Sequence, residues 1–207
     1  ITPEYLNKNS TYINEAHSIG AFTGVSPITL AGAYQAFGNG GIYNEPHSYR
    51  KIVYKSSLGN IEQERNYISR RAMKETTAYI ISDILKNVTS SKTKIKGTDI
   101  ATKTGTSSYD ETALKKLHLP SSVVRDSWTV TFTKSHTISI WYGYDELYKK
   151  NYITNNASFN ERVKIQSKIV KEIVNKGEKF NKPKGIITTK EIITNEDGTE
   201  KTITILI

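Results

Sequence analysis

Lys103, Thr104, Gly105 and Thr106 place a cation, two hydroxyls and a residue without a side chain in four consecutive positions. Ile100 and Ala101, just before them, read as the buried start of a β-strand, so the four residues continue along that strand. Residues two apart on a strand share a face, and the hydroxyls of Thr104 and Thr106 can therefore reach one carboxylate. Gly105 between them leaves the backbone open to an approaching ligand. The chemistry such a cluster can do is to grip an anion. The four histidines, His17, His47, His118 and His136, show no paired spacing that would hold a metal. With no cysteine there is no disulfide and no thiolate site.

A series of helices and strands has to hold that cluster in place. Ser26 reads as a helix N-cap with Pro27 at the first helical position. Ile28, Leu30, Ala31, Tyr34 and Phe37 form its expected buried face, and Gly38-Asn39-Gly40-Gly41 stops it. That glycine cluster follows a helix instead of opening one, so it is a stop signal and not a phosphate cradle. Tyr49–Lys55 and Ile61–Tyr67 read as a hairpin around Leu58-Gly59-Asn60. Ser69 is the expected cap of a second helix, with Met73, Ile80, Ile81, Ile84, Leu85 and Val88 as its core stripe. A polar loop, Thr89–Thr98, leads into the Lys103 strand.

After that strand, Trp128–Thr133 and Thr137–Tyr144 read as two more, joined at Lys134-Ser135-His136. Ser158 and Glu161 have the spacing of a capping box that would open a helix at 159–176, around Val163, Ile169 and Ile173. Pro183 and Gly185 mark a boundary, which divides the chain into residues 1–182 and a terminal hairpin at 183–207. Its strands are expected at Ile186–Thr194 and Thr199–Ile207, around Asn195-Glu196-Asp197-Gly198. Residues 1–19 read as the end of a helical region, and no internal repeat is evident.

Lys-Thr-Gly is shared by penicillin-binding proteins and β-lactamases, and its surroundings narrow the resemblance. The run from Gly20 to Tyr43, with Gly24-Val25-Ser26-Pro27 and Gly38-Asn39-Gly40-Gly41 within it, closely resembles the segment before Lys-Thr-Gly in class A, bifunctional penicillin-binding proteins. Asp126-Ser127-Trp128 and Trp141-Tyr142-Gly143-Tyr144-Asp145 resemble the next two strand signatures of that family. The resemblance implies an α+β fold: the latter half of the penicillin-recognising serine transpeptidase fold, an antiparallel sheet backed by helices. The activity it implies is peptidoglycan transpeptidation, in which a stem peptide ending in D-Ala-D-Ala acylates a serine and an amine then accepts the acyl group. In that scheme Lys103, Thr104, Gly105 and Thr106 bind the substrate carboxylate, the Thr106 N–H joins the oxyanion hole, and β-lactams enter as mimics of D-Ala-D-Ala.

The family's Ser-x-x-Lys and Ser-x-Asn motifs precede Lys-Thr-Gly, and this chain holds only imitations of them. Ser91-Lys92-Thr93-Lys94 has the first spacing but sits in a polar run where a solvated turn is expected. Ser158-Phe159-Asn160 has the second spacing but follows Lys-Thr-Gly. The nucleophile is therefore expected outside these residues, with the upstream part of the same domain as an obligate partner, and this chain alone is expected to be inactive. Two departures from the family pattern stand out: an insertion at 109–120, bordering the expected site, and Thr131 where the family often has glycine.

The 207 residues, 36% of them hydrophobic, suffice for one good core or a core with an appendage. A net charge of +9 and a pI near 9.5 come mostly from lysines spread along the chain, a distribution that argues against nucleic acid as a partner. Anionic wall polymers or lipid head groups remain compatible with it. The chain opens at Ile1 with no signal-like or membrane-length apolar run, so a location on the extracytoplasmic face of a bacterial membrane would need an anchor outside these residues. Asn9, Asn87 and Asn156 head glycosylation sequons, which carry little meaning in a bacterial protein. No cofactor is expected. Two further readings stay open from the residues: a fragment of a serine β-lactamase or D,D-carboxypeptidase, and a non-enzymatic basic module that binds wall polymer.

Overall fold

The computed structural model describes Glu15, His17, Gly20 and residues 24–57 and 59–206, with only the backbone given at Thr204. The helical end expected over residues 1–19, the sequon at Asn9, and the start of the Gly20–Tyr43 run at residues 21–23 lie outside the described residues apart from those three positions. So does Leu58 of the expected turn.

Helix α1 (Pro27–Gly38) begins as its sequence directs. Ser26 Oγ accepts a hydrogen bond from the Thr29 N–H at 3.2 Å, and Pro27 takes a position where its missing N–H costs nothing. Gly38 closes α1 against the sheet, where a Cβ would collide with the Thr133 carbonyl oxygen. Gly41, at φ +87°, lets the chain turn against the Met73 carbonyl. Ile28, expected on the buried face, is exposed. The helix instead buries Gly32, Ala36 and Gly38, whose lack of bulk brings it close to its neighbours.

Strand β1 (Ile42–Asn44) follows, then the hairpin β2 (Lys51–Ser56) and β3 (Gly59–Glu64), and then β4 (Ser69–Arg71). Strand β4 corrects the expectation for Ser69. That residue pairs with Asn44 of β1 and does not cap a helix. Helix α2 (Glu75–Lys86) starts after Lys74, which makes no side-chain cap bond. Its most buried residues are Ala78 and Ser82, not the expected isoleucine stripe. The Ser82 hydroxyl donates to the Ala78 carbonyl at 2.8 Å, so it needs no outside partner and the helix can approach closely there. Ile84 and Val88 are left exposed, Val88 lying beyond the end of the helix.

The central sheet comprises β5 (Ala101–Ser108), β6 (Val123–Phe132) and β7 (Thr137–Gly143), all antiparallel in the order β5-β6-β7, with the short β8 (Ile153–Thr154) paired to the start of β6. Strand β6 begins five residues earlier than expected, and among the described residues β5 lies at the edge of the sheet. Between β5 and β6 residues 109–120 contain the short helix α3 (Glu111–Lys116), with Asp110 accepting from the Thr112 N–H at 2.5 Å. Helix α4 (Asn155–Ile173) starts directly from β8, with Thr154 at its N-cap and the Asn155 N–H donating to Ser122 O at 2.8 Å. The capping box expected at Ser158 is therefore not used. Ser158 is buried in the first turn and donates to Asn155 O at 2.8 Å.

These elements make three layers. On one face of the sheet, Ala101 and Phe132 pack with Tyr34 and Phe37 of α1, Tyr79 and Leu85 of α2, and Phe180 from beyond α4. On the other, Ile100 and Ile138 meet Val170 of α4 and Val174 just beyond its end. The segment after α4 returns to anchor the entrance to β5: Glu178 O accepts from Asp99 N–H at 2.8 Å, and Phe180 N–H donates to Asp99 Oδ2 at 3.2 Å. The strands β9 (Thr188–Thr194) and β10 (Glu200–Leu206) form a separate two-stranded antiparallel sheet. No helix among the described residues is long and apolar enough to cross a membrane.

Candidate active site

Strand alternation divides the four candidate residues between the two faces of β5. Lys103 and Gly105 share the face of Ala101, on the α1–α2 side, whereas Thr104 and Thr106 share the face of Thr102, on the α4 side. The two hydroxyls thus lie on one face as expected, but the cation lies on the other. The cluster can act on one ligand only from the open edge of the strand, where both faces are within reach. Lys103 is exposed, and its Nζ donates to Thr104 O at 2.7 Å. Gly105 has negative φ, and the nearest atom to a Cβ built on it is Trp128 Cβ at 3.5 Å, an ordinary contact. Nothing inside the described chain requires glycine there.

The cross-strand register continues the hydroxyl pattern onto β6. Thr102 faces Thr131, Thr104 faces Thr129, and Thr106 faces Ser127, so two strands present a double row of hydroxyls toward α4. At the inner end the row is closed by Gln166. Its Nε2 donates to Thr102 Oγ1 at 3.2 Å and to Thr131 Oγ1, and its Oε1 accepts from Thr129 at 3.0 Å. Thr102 also meets Thr131 and Thr89, each at 3.1 Å. Every hydroxyl in this buried layer therefore has a partner, as burial demands.

At the outer end the same helix supplies Arg162, only 4% exposed. Its Nη1 lies 2.8 Å from Ser127 Oγ and 3.2 Å from each of Gly105 O, Thr106 Oγ1 and Trp128 O, four acceptors that share its two hydrogens. The guanidinium carbon lies 5.5 Å from the centre of the Phe159 ring. Burial draws its pKa below that of a free guanidinium, yet an arginine side chain stays charged in proteins. Sequence reasoning missed Arg162, because an arginine in a helix is ordinarily assigned to the solvated face. The signal was the four-residue spacing of Ser158, Arg162, Gln166 and Val170, a stripe that proves to be buried throughout.

A second network fixes the exit of β5. The Ser107 hydroxyl donates to Asp126 Oδ2 at 2.6 Å, and Trp141 Nε1–H donates to Asp126 Oδ1 at 2.9 Å. Asp126 thereby joins the edge strand to β7 across β6. Gly143 makes room for this arrangement, since a Cβ there would come within 2.9 Å of both Arg125 O and the Trp141 ring. The Asp-Ser-Trp and Trp-Tyr-Gly signatures are thus two halves of one contact. Ser91 lies exposed in a turn, the solvated setting expected for its polar run.

Comparison with known proteins bears on the family of the chain. Residues 3–175 match the family model described as the penicillin-binding protein transpeptidase domain. The chain is 34% identical over 184 residues to penicillin-binding protein 1A/1B of Bacillus subtilis, covering 84% of this chain and 20% of that protein. It is 35% identical over 127 residues to penicillin-binding protein 1A of Streptococcus pneumoniae, covering 58% and 17%. The chain thus spans about a fifth of the length of these curated relatives. The crystal structure of penicillin-binding protein 3 from Mycobacterium tuberculosis, complexed with aztreonam, superposes with a TM-score of 0.52 at 17% identity, over 78% of this chain and 38% of that one, a likeness of fold alone. Its α+β architecture, its ordered strand signatures and these relatives together place the chain in the penicillin-binding protein transpeptidase family, on the class A branch.

Proposed function

We propose that β5 is the substrate-carboxylate and oxyanion strand of a serine D,D-transpeptidase that cross-links peptidoglycan stem peptides and is acylated by penicillin. The observation that carries this reading is an open-edged strand with Lys103 and Gly105 on one face and Thr104 and Thr106 on the other, where packing explains neither the cation nor the glycine. A peptide ending in D-Ala-D-Ala lies along that edge, and its carboxylate is met by the Thr104 and Thr106 hydroxyls in the field of Lys103. A serine from outside residues 1–207 attacks the carbonyl of the penultimate residue. The carbonyl oxygen gains charge opposite the Thr106 N–H, the terminal D-Ala departs as the amide bond breaks, and an amine of a neighbouring stem peptide takes the acyl group. Penicillin follows the same path as far as the acyl-enzyme. The upstream part of the same domain is the partner that completes the site, and no nucleic acid or cofactor takes part. Residues 183–207 form a terminal hairpin extension, and the protein works on the extracytoplasmic face of a bacterial membrane.

Two experiments test this reading. Incubated alone with excess penicillin, residues 1–207 are expected to show no adduct by intact-mass measurement, whereas the full-length protein gains one penicillin on a serine outside them. A stoichiometric adduct on Ser91, or on any residue of this chain, would overturn the assignment. In the full-length protein, Gly105→Ala is expected to leave stability unchanged or raise it by up to ~1 kcal/mol, because alanine restricts the unfolded chain and meets no close contact. The same substitution should slow penicillin acylation about tenfold, since ~1.4 kcal/mol is lost when a methyl group intrudes on the bound acyl donor. Equal acylation rates would mean that ligand does not pass over Gly105.

A further inference from the structure

Arg162 carries more charge than its structural surroundings require. Gln166, one turn farther along α4, satisfies Thr102, Thr129 and Thr131 with a neutral amide. At the equivalent place beside Thr106 and Ser127 the helix supplies a guanidinium instead, and the four described acceptors that share its Nη1 hydrogens are all uncharged oxygens. Its Nε is buried with no hydrogen-bond partner among the described residues. Burying a cation without a carboxylate is costly, and a neutral side chain would avoid that cost. The charge lies at the end of β5 where the hydroxyl row passes from buried Thr102 to exposed Thr106.

We propose that Arg162 is a positioning residue for the carboxylate of the acyl donor, an inference that rests on the reading of β5 given above. Two features of the geometry support it. Thr106 Oγ1 accepts from the guanidinium, so the single hydroxyl hydrogen is left to donate away from Arg162, toward a ligand at the edge. Arg162 also holds the Gly105 carbonyl, and all described peptide bonds are trans, so the Thr106 N–H of that peptide unit points the opposite way. One buried group therefore orients both donors of Thr106. Its uncompensated charge makes the site favourable to an anion before any ligand arrives.

The test uses the full-length protein and two probes, a penicillin and its methyl ester, which differ only in the carboxylate charge. The wild type is expected to be acylated faster by the free acid. Arg162→Gln should slow acylation by the acid about 10-fold or more, the loss of a charge-assisted contact, and by the ester about 2-fold, collapsing the preference. Arg162→Lys, which restores the charge, should recover at least half of the preference on a logarithmic scale. Equal slowing with both probes would make Arg162 a structural residue only, and an unchanged preference would remove it from the site. Should the Gln variant not fold, Arg162→Lys is combined with Thr106→Val. The loss of preference caused by Lys should vanish when the hydroxyl is absent, and additive losses would overturn the proposal. A wild type that penicillin fails to acylate at all would defeat the transpeptidase reading and this inference with it, a result distinct from an acylated wild type whose Arg162 variants keep their preference.

Discussion

In the full-length protein, Lys103→Ala is expected to lower the second-order rate of acylation by penicillin on the order of 100-fold, the usual scale for removing one preorganised electrostatic group from an acyl-transfer site. Lys103 is exposed on an edge strand, and its one described bond is to the neighbouring Thr104 carbonyl. No described carboxylate forms an ion pair with it, so its charge is available to a ligand. An exposed lysine of this kind contributes within about 0.5 kcal/mol to stability, so the melting temperature should scarcely move. A large kinetic effect with a small thermal one is the signature of a residue kept for its ligand. A protective lysine on a sheet edge, the competing explanation, would show the reverse: an unchanged rate and a greater tendency to aggregate. The paired measurement of rate and melting temperature separates the two.

Much of this architecture was legible in the sequence because local signals and tertiary contacts agree there. Ser26-Pro27 fixes the start of α1 by cap chemistry that needs no distant partner. The three central strands follow from alternation and from the turn at Lys134-Ser135-His136, where the Thr133 hydroxyl accepts from both the Ser135 and His136 N–H groups. Legibility failed where a distant segment made the choice. Ser69 is drawn into β4 by Asn44, 25 positions earlier, and no local pattern announces a three-residue strand. Helix α4 starts at Asn155 because β8 delivers the chain there from its pairing with Val123 and Val124, which overrides the capping box at Ser158. In α2 the small residues Ala78 and Ser82, not the larger isoleucines, set the closest approach.

The site was half legible for a related reason. Lys103 to Thr106 could be read as an anion-binding strand from residue types and period-two spacing alone. That the cation and the hydroxyls occupy opposite faces follows from the same period, but which face is covered depends on α1, α2 and α4. Arg162 lies 56 positions beyond Thr106, and its role emerges only when α4 is laid across the hydroxyl row. The sequence carries both halves of that contact, the alternating hydroxyls of β5 and β6 and the four-residue stripe of α4. It does not carry their juxtaposition.

Phe132→Ala is expected to destabilise the protein by about 3–5 kcal/mol, read as a shift of the urea midpoint at constant slope. Phe132 is fully buried, and its ring lies 5.7 Å from that of Phe180, 6.0 Å from Phe37 and 6.2 Å from Tyr34. It thus joins α1, the sheet and the segment after α4 in one contact, and each tilted aromatic pair adds to the burial itself. Directly across the strand stands Ala101, too small to fill the void, and Gly38 on α1 has no side chain to offer. The cavity would therefore remain largely open, which places the cost toward the upper end of the range. Total stability of a domain is about 5–15 kcal/mol, so this one substitution removes a large share of it. The effect should also reach the site, because Ala101 leads β5 and precedes Lys103 by two residues on the same face. Phe132→Leu, which refills most of the volume, is expected to recover more than half of the lost stability. A cost below about 1 kcal/mol for the alanine variant would mean that the three layers are held together elsewhere, and that the entrance to β5 does not depend on this aromatic cluster.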